Sequence, residues 1–308
     1  MAYQDILMRM RSGGVVIIDG ATGTELERRG ADMNADAWCG PATLSNRSLL
    51  EQIHLDYIQA GAEIIITNTY ATSRLMLEPA GYGDRLEDVY REACAAAMDA
   101  RERAGRPDVL IAGSLSHMVP FGPGGSKPGD TFSGLEHGDF TYAFGEAARL
   151  LKEGGCDFIL LEMLYHPERT ELAIEAALST GLPVWAGFSA RAGSSGAVFA
   201  NMSDREIPFD DLLSVLPERG IDAAGVMHTN VNVTGPALEI LAQHYPGPRF
   251  AYPDSGFFTM PNWQFVDIIS PAELRIRAEE WIADGLSAVG GCCGLSVEHI
   301  KALAPLKR

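Results

Sequence analysis

The feature that most constrains the fold of this chain is a regular alternation of short apolar runs with amphipathic segments. Eight such runs occur, at residues 15–19, 62–67, 109–114, 158–162, 184–188, 223–227, 249–253 and 287–290. Several of them lack polar alternation, which is typical of parallel strands that are covered on both faces. Helical periodicity separates most of the runs, as where Leu49, Ile53 and Tyr57 share one face. Eight β-then-α units most economically close into a (β/α)8 TIM barrel, an α/β fold, and an open doubly wound sheet is the alternative.

The length and composition of the chain fit one large domain. Its 308 residues are 46% hydrophobic, so we expect residues 1–308 to form one barrel. The 24 basic and 41 acidic residues give a net charge of -17, which opposes binding to nucleic acid or anionic membranes. No secretory signal is recognisable at the start, and no apolar stretch is long enough to span a membrane. We therefore expect a cytoplasmic protein, and the sequence leaves open whether it forms a homo-oligomer.

The cysteines point to metal chemistry rather than to a secreted disulfide framework. Cys94 lies in an alanine-rich helical segment and Cys156 precedes a strand, so both are predicted to be core residues. Cys292 and Cys293 are adjacent, at a point where the last predicted strand opens into a glycine-rich turn. In a reducing compartment such a pair suits a soft metal ion better than it suits packing.

Two connections are unusually long, and both follow the carboxyl end of a predicted strand. Residues 31–46 include Trp38 and Cys39, and residues 120–138 are rich in glycine and include Lys127, Asp130 and His137. Long loops in compact domains are commonly lids or binding loops, and barrel active sites form on this face. Both loops are therefore candidate lids.

The carboxyl ends of all strands in a parallel barrel meet at one face, so the residues that end them should converge there. Residues with chemically useful side chains at these positions are Asp19, Thr67, Asn68, Ser114, Ser116, His117, Glu162, Ser189, His228, Asp254, Cys292 and Cys293. His228, Cys292 and Cys293 match a zinc site with three protein ligands and one open position, although cobalt or iron could adopt the same geometry. A cysteine pair and a histidine could also occur there without any metal.

Asp19 and Glu162 end otherwise apolar strands, where an uncompensated charge is costly. Each carboxylate could accept hydrogen bonds from backbone groups or pair with a basic side chain. Each could equally hold the ammonium group of an amino-acid substrate beside a metal. The residues alone do not decide between these interpretations.

Six segments spread along the chain are distinctive: IDGATGTELERRG from Ile18, HLDYIQAGAEIIITNTY from His54, AGS from Ala112, LLE from Leu160, YPDSG from Tyr252 and GGCCG from Gly290. In combination, they resemble the homocysteine S-methyltransferase family. The resemblance implies a barrel whose Zn2+ holds homocysteine as a thiolate, with Cys292 and Cys293 among the ligands. It also implies that Asp19 and Glu162 bind the substrate amine. Together with the strand-end positions, the expected substrate-binding set is Asp19, Glu162, Thr67, Asn68, Ser114 and His117.

The chain departs from the family pattern at two places. The family ends its sixth strand with Gly-x-Asn-Cys, whereas this chain has Gly-Val-Met-His, so His228 stands where the third thiolate is expected. Ser116 and His117 replace a Gly-Pro pair after the third strand. Two thiolates and a neutral imidazole leave a zinc site neutral, whereas three thiolates leave it at minus one. We hypothesise that the more positive metal lowers the pKa of a bound thiol further and makes its thiolate less nucleophilic, which suits an activated methyl donor.

The implied reaction moves a methyl group from a small donor to homocysteine and gives methionine. Cationic donors such as S-methylmethionine, a betaine or dimethylsulfoniopropionate are commonly recognised by aromatic faces, for which Trp38, Tyr70, Tyr165 and Trp263 are candidates. A second protein that carries methylcobalamin is an alternative donor. The competing interpretations are divergence to another thiol or to a selenol, a non-catalytic binding role, and a zinc hydrolase that uses Glu162 or His117 as its base.

Overall fold

The computed structural model describes residues 2–34, 36–120, 134–194, 196–202, 205–259 and 264–308. Its strands are β1 (Val16–Ile17), β2 (Ile64–Ile66), β3 (Leu110–Ser116), β4 (Phe158–Leu164), β5 (Val184–Phe188), β6 (Ala190–Ala192), β7 (Val198–Ala200), β8 (Ala223–Asn230), β9 (Arg249–Asp254), β10 (Phe257–Thr259), β11 (Gln264–Val266) and β12 (Ala288–Val289). Its helices are α1 (Ala2–Arg11), α2 (Thr22–Arg28), α3 (Ala42–Ser45), α4 (Arg47–Ala60), α5 (Arg74–Leu77), α6 (Leu86–Arg103), α7 (His137–Glu153), α8 (Pro167–Ser179), α9 (Phe209–Leu213), α10 (Val231–His244), α11 (Pro271–Ala283) and α12 (Val297–Leu303).

Eight of these strands form one parallel barrel. The hydrogen-bonded order is β1-β12-β9-β8-β5-β4-β3-β2, and a parallel bridge between Ile18 and Ile64 joins the two ends of that row. All eight predicted strands are present, and the closed row confirms the (β/α)8 barrel over the doubly wound sheet. The remaining strands form two antiparallel hairpins, β6 with β7 and β10 with β11, which follow barrel strands β5 and β9 at their carboxyl ends.

The inside of the barrel is filled by large side chains, which close it to solvent below the mouth. Phe158, Trp185 and Phe250 come from three different strands. The ring centroids of Phe158 and Trp185 are 4.8 Å apart, and those of Trp185 and Phe250 are 5.4 Å apart. All three are fully buried. A separate apolar layer, which includes Cys94 and Cys156 as predicted, packs between the strands and the outer helices. The carboxyl-end mouth is therefore the part of the barrel where a ligand could enter.

Helix α1 closes the opposite end of the barrel. Its apolar residues Tyr3, Ile6, Leu7 and Met10 recur at helical spacing and belong to the same apolar cluster as the barrel interior. The Tyr3 hydroxyl donates to Asp222 at 2.8 Å and accepts from the indole nitrogen of Trp185 at 3.1 Å. Helix α1 therefore closes the amino-terminal end of the barrel, which we call its floor.

The predicted lids are only partly described. Residues 31–46 contribute Trp38 and Cys39 to the mouth, apart from residue 35, which lies outside the described residues. In the second loop, Lys127 and Asp130 lie outside the described residues, and His137 begins α7. Within the described ranges, no helix combines the length and the apolar character that crossing a bilayer requires.

Candidate metal centre

A cavity opens at the carboxyl ends of the strands and collects most of the predicted site residues. It is lined by Ala21, Thr22, Gly23, Trp38, Cys39, Ile66, Thr67, Asn68, Tyr70, Glu162, His228, Tyr252, Cys292 and Cys293. These residues come from six different strand ends, as expected for the mouth of a barrel. Its walls combine aromatic faces with a small number of polar groups, which is typical of a site for a small molecule.

His228, Cys292 and Cys293 meet in this cavity. Their possible ligand atoms all lie within 4.8 Å of one another. The Cys292 and Cys293 sulfurs are 3.8 Å apart, and the Cys292 sulfur is 3.3 Å from His228 Nδ1. Tetrahedral zinc with ordinary bond lengths would separate two sulfurs by about 3.8 Å and a sulfur from a nitrogen by about 3.6 Å. The three side chains could hold a metal ion with little movement.

The turn that carries the two cysteines is fixed by backbone contacts. The Cys292 N–H donates to the Pro253 carbonyl at 2.6 Å, and the Cys293 carbonyl accepts from the Ser255 N–H at 3.1 Å. Gly290 allows the close approach of neighbouring backbone, since an added Cβ would lie 2.6 Å from the Asp19 carbonyl oxygen. Gly294 adopts a φ of +82°, which favours glycine. The glycine-rich sequence around the pair therefore has a local structural reason.

The surroundings of Cys292 disfavour the charged form of its thiol. Burial raises the pKa of Cys292 well above its ordinary value, and the neighbouring Cys293 raises it further. Because only a thiolate is a good metal ligand, metal binding here is coupled to loss of the thiol proton. The donor set thus suits a soft divalent ion that stabilises the thiolates.

Contacts to both the ring and the backbone hold His228 in place. Nε2 lies 2.7 Å from Glu162 Oε1, and the ring stacks on Tyr70 at 5.0 Å with an interplanar angle of 18°. The His228 carbonyl accepts from the Ser189 hydroxyl at 2.6 Å. Burial lowers the pKa of His228, but the hydrogen bond and the negative charge of Glu162 outweigh it, so the net shift is upward.

Glu162 lies at the centre of the polar contacts in the cavity. One carboxylate oxygen faces His228, and the other accepts a hydrogen bond from the hydroxyl of Ser114. Ser114 is not among the residues that line the cavity; it supports Glu162 from behind. Thr67 and Asn68 do line it, and Asn68 binds the Cys39 carbonyl at 2.9 Å.

Besides Ser114, two further predicted substrate-binding residues, Asp19 and His117, do not line the cavity. Asp19 is fully buried and accepts from the Ile66 N–H at 2.8 Å and from the Tyr252 hydroxyl at 3.1 Å. Burial raises its pKa. His117 lies behind the wall, where its Nε2 accepts from the Tyr165 N–H at 2.9 Å. Its pKa is lowered, chiefly by burial.

The structure adds residues that the strand-end argument did not select as ligand-contacting groups. Cys39 and Tyr252 line the cavity, and Tyr252 lies in one of the segments on which the family resemblance rests. Of the four predicted aromatic residues, Trp38 and Tyr70 line the cavity with their rings 6.2 Å apart, and Tyr165 does not. Trp263 lies outside the described residues.

Comparison with known proteins gives a consistent result. The model of a family described as homocysteine S-methyltransferase matches residues 16–306. Homocysteine S-methyltransferase 4 of Zea mays is 26% identical over 95% of this chain and 89% of its own length. Homocysteine S-methyltransferase YbgG of Bacillus subtilis is 27% identical over 96% and 95%, and a selenocysteine Se-methyltransferase of Brassica oleracea is 28% identical over 95% and 88%. The metallated form of the homocysteine methyltransferase MmuM of Escherichia coli superposes with a TM-score of 0.78 at 24% identity and covers 99% of both chains.

Proposed function

The chain belongs to the homocysteine S-methyltransferase family, whose enzymes transfer a methyl group to the sulfur of homocysteine, and we propose that it performs this transfer at a zinc ion held by His228, Cys292 and Cys293. The observation that carries the proposal is the convergence of these three ligand atoms within 4.8 Å of one another, in the mouth of the barrel. When bound, zinc would lower the pKa of the substrate thiol and fix the position of its sulfur.

The acceptor side of the cavity is polar. Thr67, Asn68 and Glu162 line it, so we assign them to the amino and carboxylate ends of homocysteine. Asp19 accepts a hydrogen bond from the Tyr252 hydroxyl and would act through Tyr252, and Ser114, which donates to Glu162, would act through Glu162. His117 would shape the wall from behind, next to Tyr165. In this scheme no side chain needs to be a general base, because the thiol proton is released on binding.

The donor side of the cavity is aromatic. Trp38 and Tyr70 present an edge-to-face pair to the same cavity as the two cysteines. Such faces attract a sulfonium or quaternary ammonium centre and lose that attraction once the donor becomes neutral after transfer. This arrangement favours a small cationic donor of the sulfonium or betaine type.

A selenol is the second candidate acceptor. The Brassica relative of similar identity is a selenocysteine Se-methyltransferase, and the cysteine-histidine site would bind a selenol as readily as a thiol. We place the protein in the cytoplasm, since a reducing compartment keeps all five cysteines, which are free in this structure, available as thiols.

The test is metal analysis combined with methyl transfer. Wild-type protein should contain about one zinc per chain and form methionine from homocysteine with S-methylmethionine, glycine betaine or dimethylsulfoniopropionate as donor. Cys293→Ser should lose zinc and more than about 100-fold in rate, because it removes a ligand rather than an outer-shell group. Cys94→Ala, which alters a buried thiol on α6 next to Cys156, is the matched control and should keep both. Metal-free wild-type protein that still transfers methyl groups would contradict the zinc assignment.

A further inference from the structure

We propose that Glu162 is a positioning residue for the metal ligand His228, selecting the imidazole tautomer whose Nδ1 faces the metal. The inference rests on the proposed zinc site and assigns Glu162 a role beyond substrate binding. An imidazole binds a metal only through its unprotonated nitrogen, so the partner of the other nitrogen decides which one is available. His228 Nε2 is 2.7 Å from Glu162 Oε1, and Nδ1 is 3.3 Å from the Cys292 sulfur. A carboxylate that faces Nε2 at this distance favours the tautomer with the proton on Nε2, and that tautomer leaves Nδ1, which faces Cys292, free to bind a metal.

The backbone brings the two side chains together at a defined level of the barrel. β4 and β8 are alternate strands, separated by β5, and inward-facing side chains of alternate strands share one layer. Both strands shift register at this level, between Leu161 and Leu164 in β4 and between Met227 and Asn230 in β8. Bulges of this kind re-aim side chains and are frequent beside active sites.

Each bulge also contains a non-glycine residue with a left-handed backbone. The φ of Met163, directly after Glu162, is 59°, and the φ of His228 is 44°. Such conformations cost free energy and persist where the surrounding structure determines them. Two strained bulges at one level, which aim a carboxylate and an imidazole at each other, indicate that this contact is specified by the fold.

The carboxylate is itself held from the neighbouring strand. The Ser114 hydroxyl donates to Glu162 Oε2, and the Ser114 N–H donates to Thr67 Oγ1 at 3.1 Å. A hydrogen-bonded row therefore runs from β2 through β3 and β4 to the imidazole on β8. Both Glu162 oxygens are engaged before any substrate binds, so an amino group would add a contact to an occupied carboxylate.

The type of ligand explains why an orienting partner is needed here. A thiolate has no tautomers and can bind a metal at many torsion angles about its Cβ–Sγ bond, whereas an imidazole must present one unprotonated nitrogen in the plane of its ring. At a site whose third ligand is the imidazole of His228, the orienting group becomes part of the metal site. Glu162 has the position and the contacts to supply it.

The experiment is a zinc titration of metal-stripped protein against a chromophoric chelator, with neither thiol nor donor present. Glu162→Ala should weaken zinc binding by about 10- to 100-fold, the usual effect of removing an outer-shell partner. Glu162→Gln keeps an acceptor oxygen and should recover most of the affinity. The Co2+ absorption bands of Glu162→Ala should shift as well, because the ligand geometry changes. Asp254→Asn, which removes a carboxylate that influences the same ring through its charge, is the matched control and should have a smaller effect.

The decisive comparison repeats Glu162→Ala in a His228→Cys background. There the substitution should not weaken zinc binding, since a thiolate needs no partner to select its tautomer. Equal losses in both backgrounds would show a general structural effect and overturn the inference. So would unchanged affinity of Glu162→Ala in the His228 protein, and the zinc site itself would then stand. Wild-type protein without zinc affinity would overturn the proposed function first, and this inference with it.

Discussion

At the scale of single residues, His54 combines complete burial with missing partners. It lies on α4, is fully buried, and neither ring nitrogen has a hydrogen-bond partner among the described residues. Burial lowers its pKa from 6.5 to about 4. Below pH 6.5 the unfolded chain therefore binds a proton that the folded chain rejects, and stability is lost as the pH falls from 6.5 towards 4.

This linkage predicts the pH dependence of a substituted protein. Between pH 7 and pH 5 the free energy of unfolding of wild-type protein should fall by about 2 kcal/mol more than that of His54→Leu. Urea unfolding of both proteins at the two pH values measures the difference. Parallel losses in the two proteins would show that His54 is accessible to protons in the folded state.

The site residues show which features a sequence can predict. Convergence of His228, Cys292 and Cys293 follows from parallel strands, because each residue ends a strand and all ends share one face. The direction of a side chain at that end does not follow, since local bulges and loop paths set it. Hence the contact of Glu162 with His228, and the position of His117 behind the wall, required the structure.

At the scale of elements, the cap of α11 is a local device whose contribution can be isolated. The Ser270 hydroxyl accepts from the Glu273 N–H at 3.2 Å, and the Glu273 carboxylate accepts from the Ser270 N–H at 3.1 Å. Pro271 opens the helix at a position where its missing N–H costs nothing. α11 packs Leu274 and Trp281 inward and leads to β12, the strand that precedes the cysteine turn.

Removal of this cap should lower stability by a modest, measurable amount. Ser270→Ala should reduce the free energy of unfolding by about 1 kcal/mol, because one amide at the start of the helix loses its acceptor. Ser179→Ala, at the exposed end of α8, is the control and should change it by less than about 0.5 kcal/mol. Urea unfolding measures both losses. Equal losses in the two variants would contradict a stabilising role for the Ser270 cap.

The elements themselves were predictable to different degrees. The eight barrel strands were predictable because strands buried on both faces are continuously apolar, and the structure moves their ends by only a few residues. Hairpins β6–β7 and β10–β11 were not expected, since strands of three residues carry too little periodicity to be recognised. The periodicity of α1 defines an apolar face, but only the structure shows that this face seals the barrel floor.

At the scale of the whole molecule, stability and chemistry occupy opposite ends of the barrel. The floor is closed by α1 through Tyr3, Asp222 and Trp185, whereas the proposed ligands lie at the mouth. The filled interior between them is built from rigid, fully buried aromatic rings. We therefore expect that the two ends can be altered separately.

A pair of substitutions at the two ends tests this separation. Tyr3→Phe keeps the ring against Phe158 but leaves the buried indole N–H of Trp185 without its acceptor, so unfolding should become easier by about 1–3 kcal/mol. Its zinc affinity should equal that of wild type. Cys293→Ser should show the reverse: metal-free stability close to wild type, but loss of the stabilisation of about 4 kcal/mol that zinc at 1,000 times its Kd gives wild-type protein. Urea unfolding with and without zinc measures both quantities. If Tyr3→Phe weakened zinc binding, floor and mouth would be coupled through the packed interior, and the barrel could not be described as two independent ends.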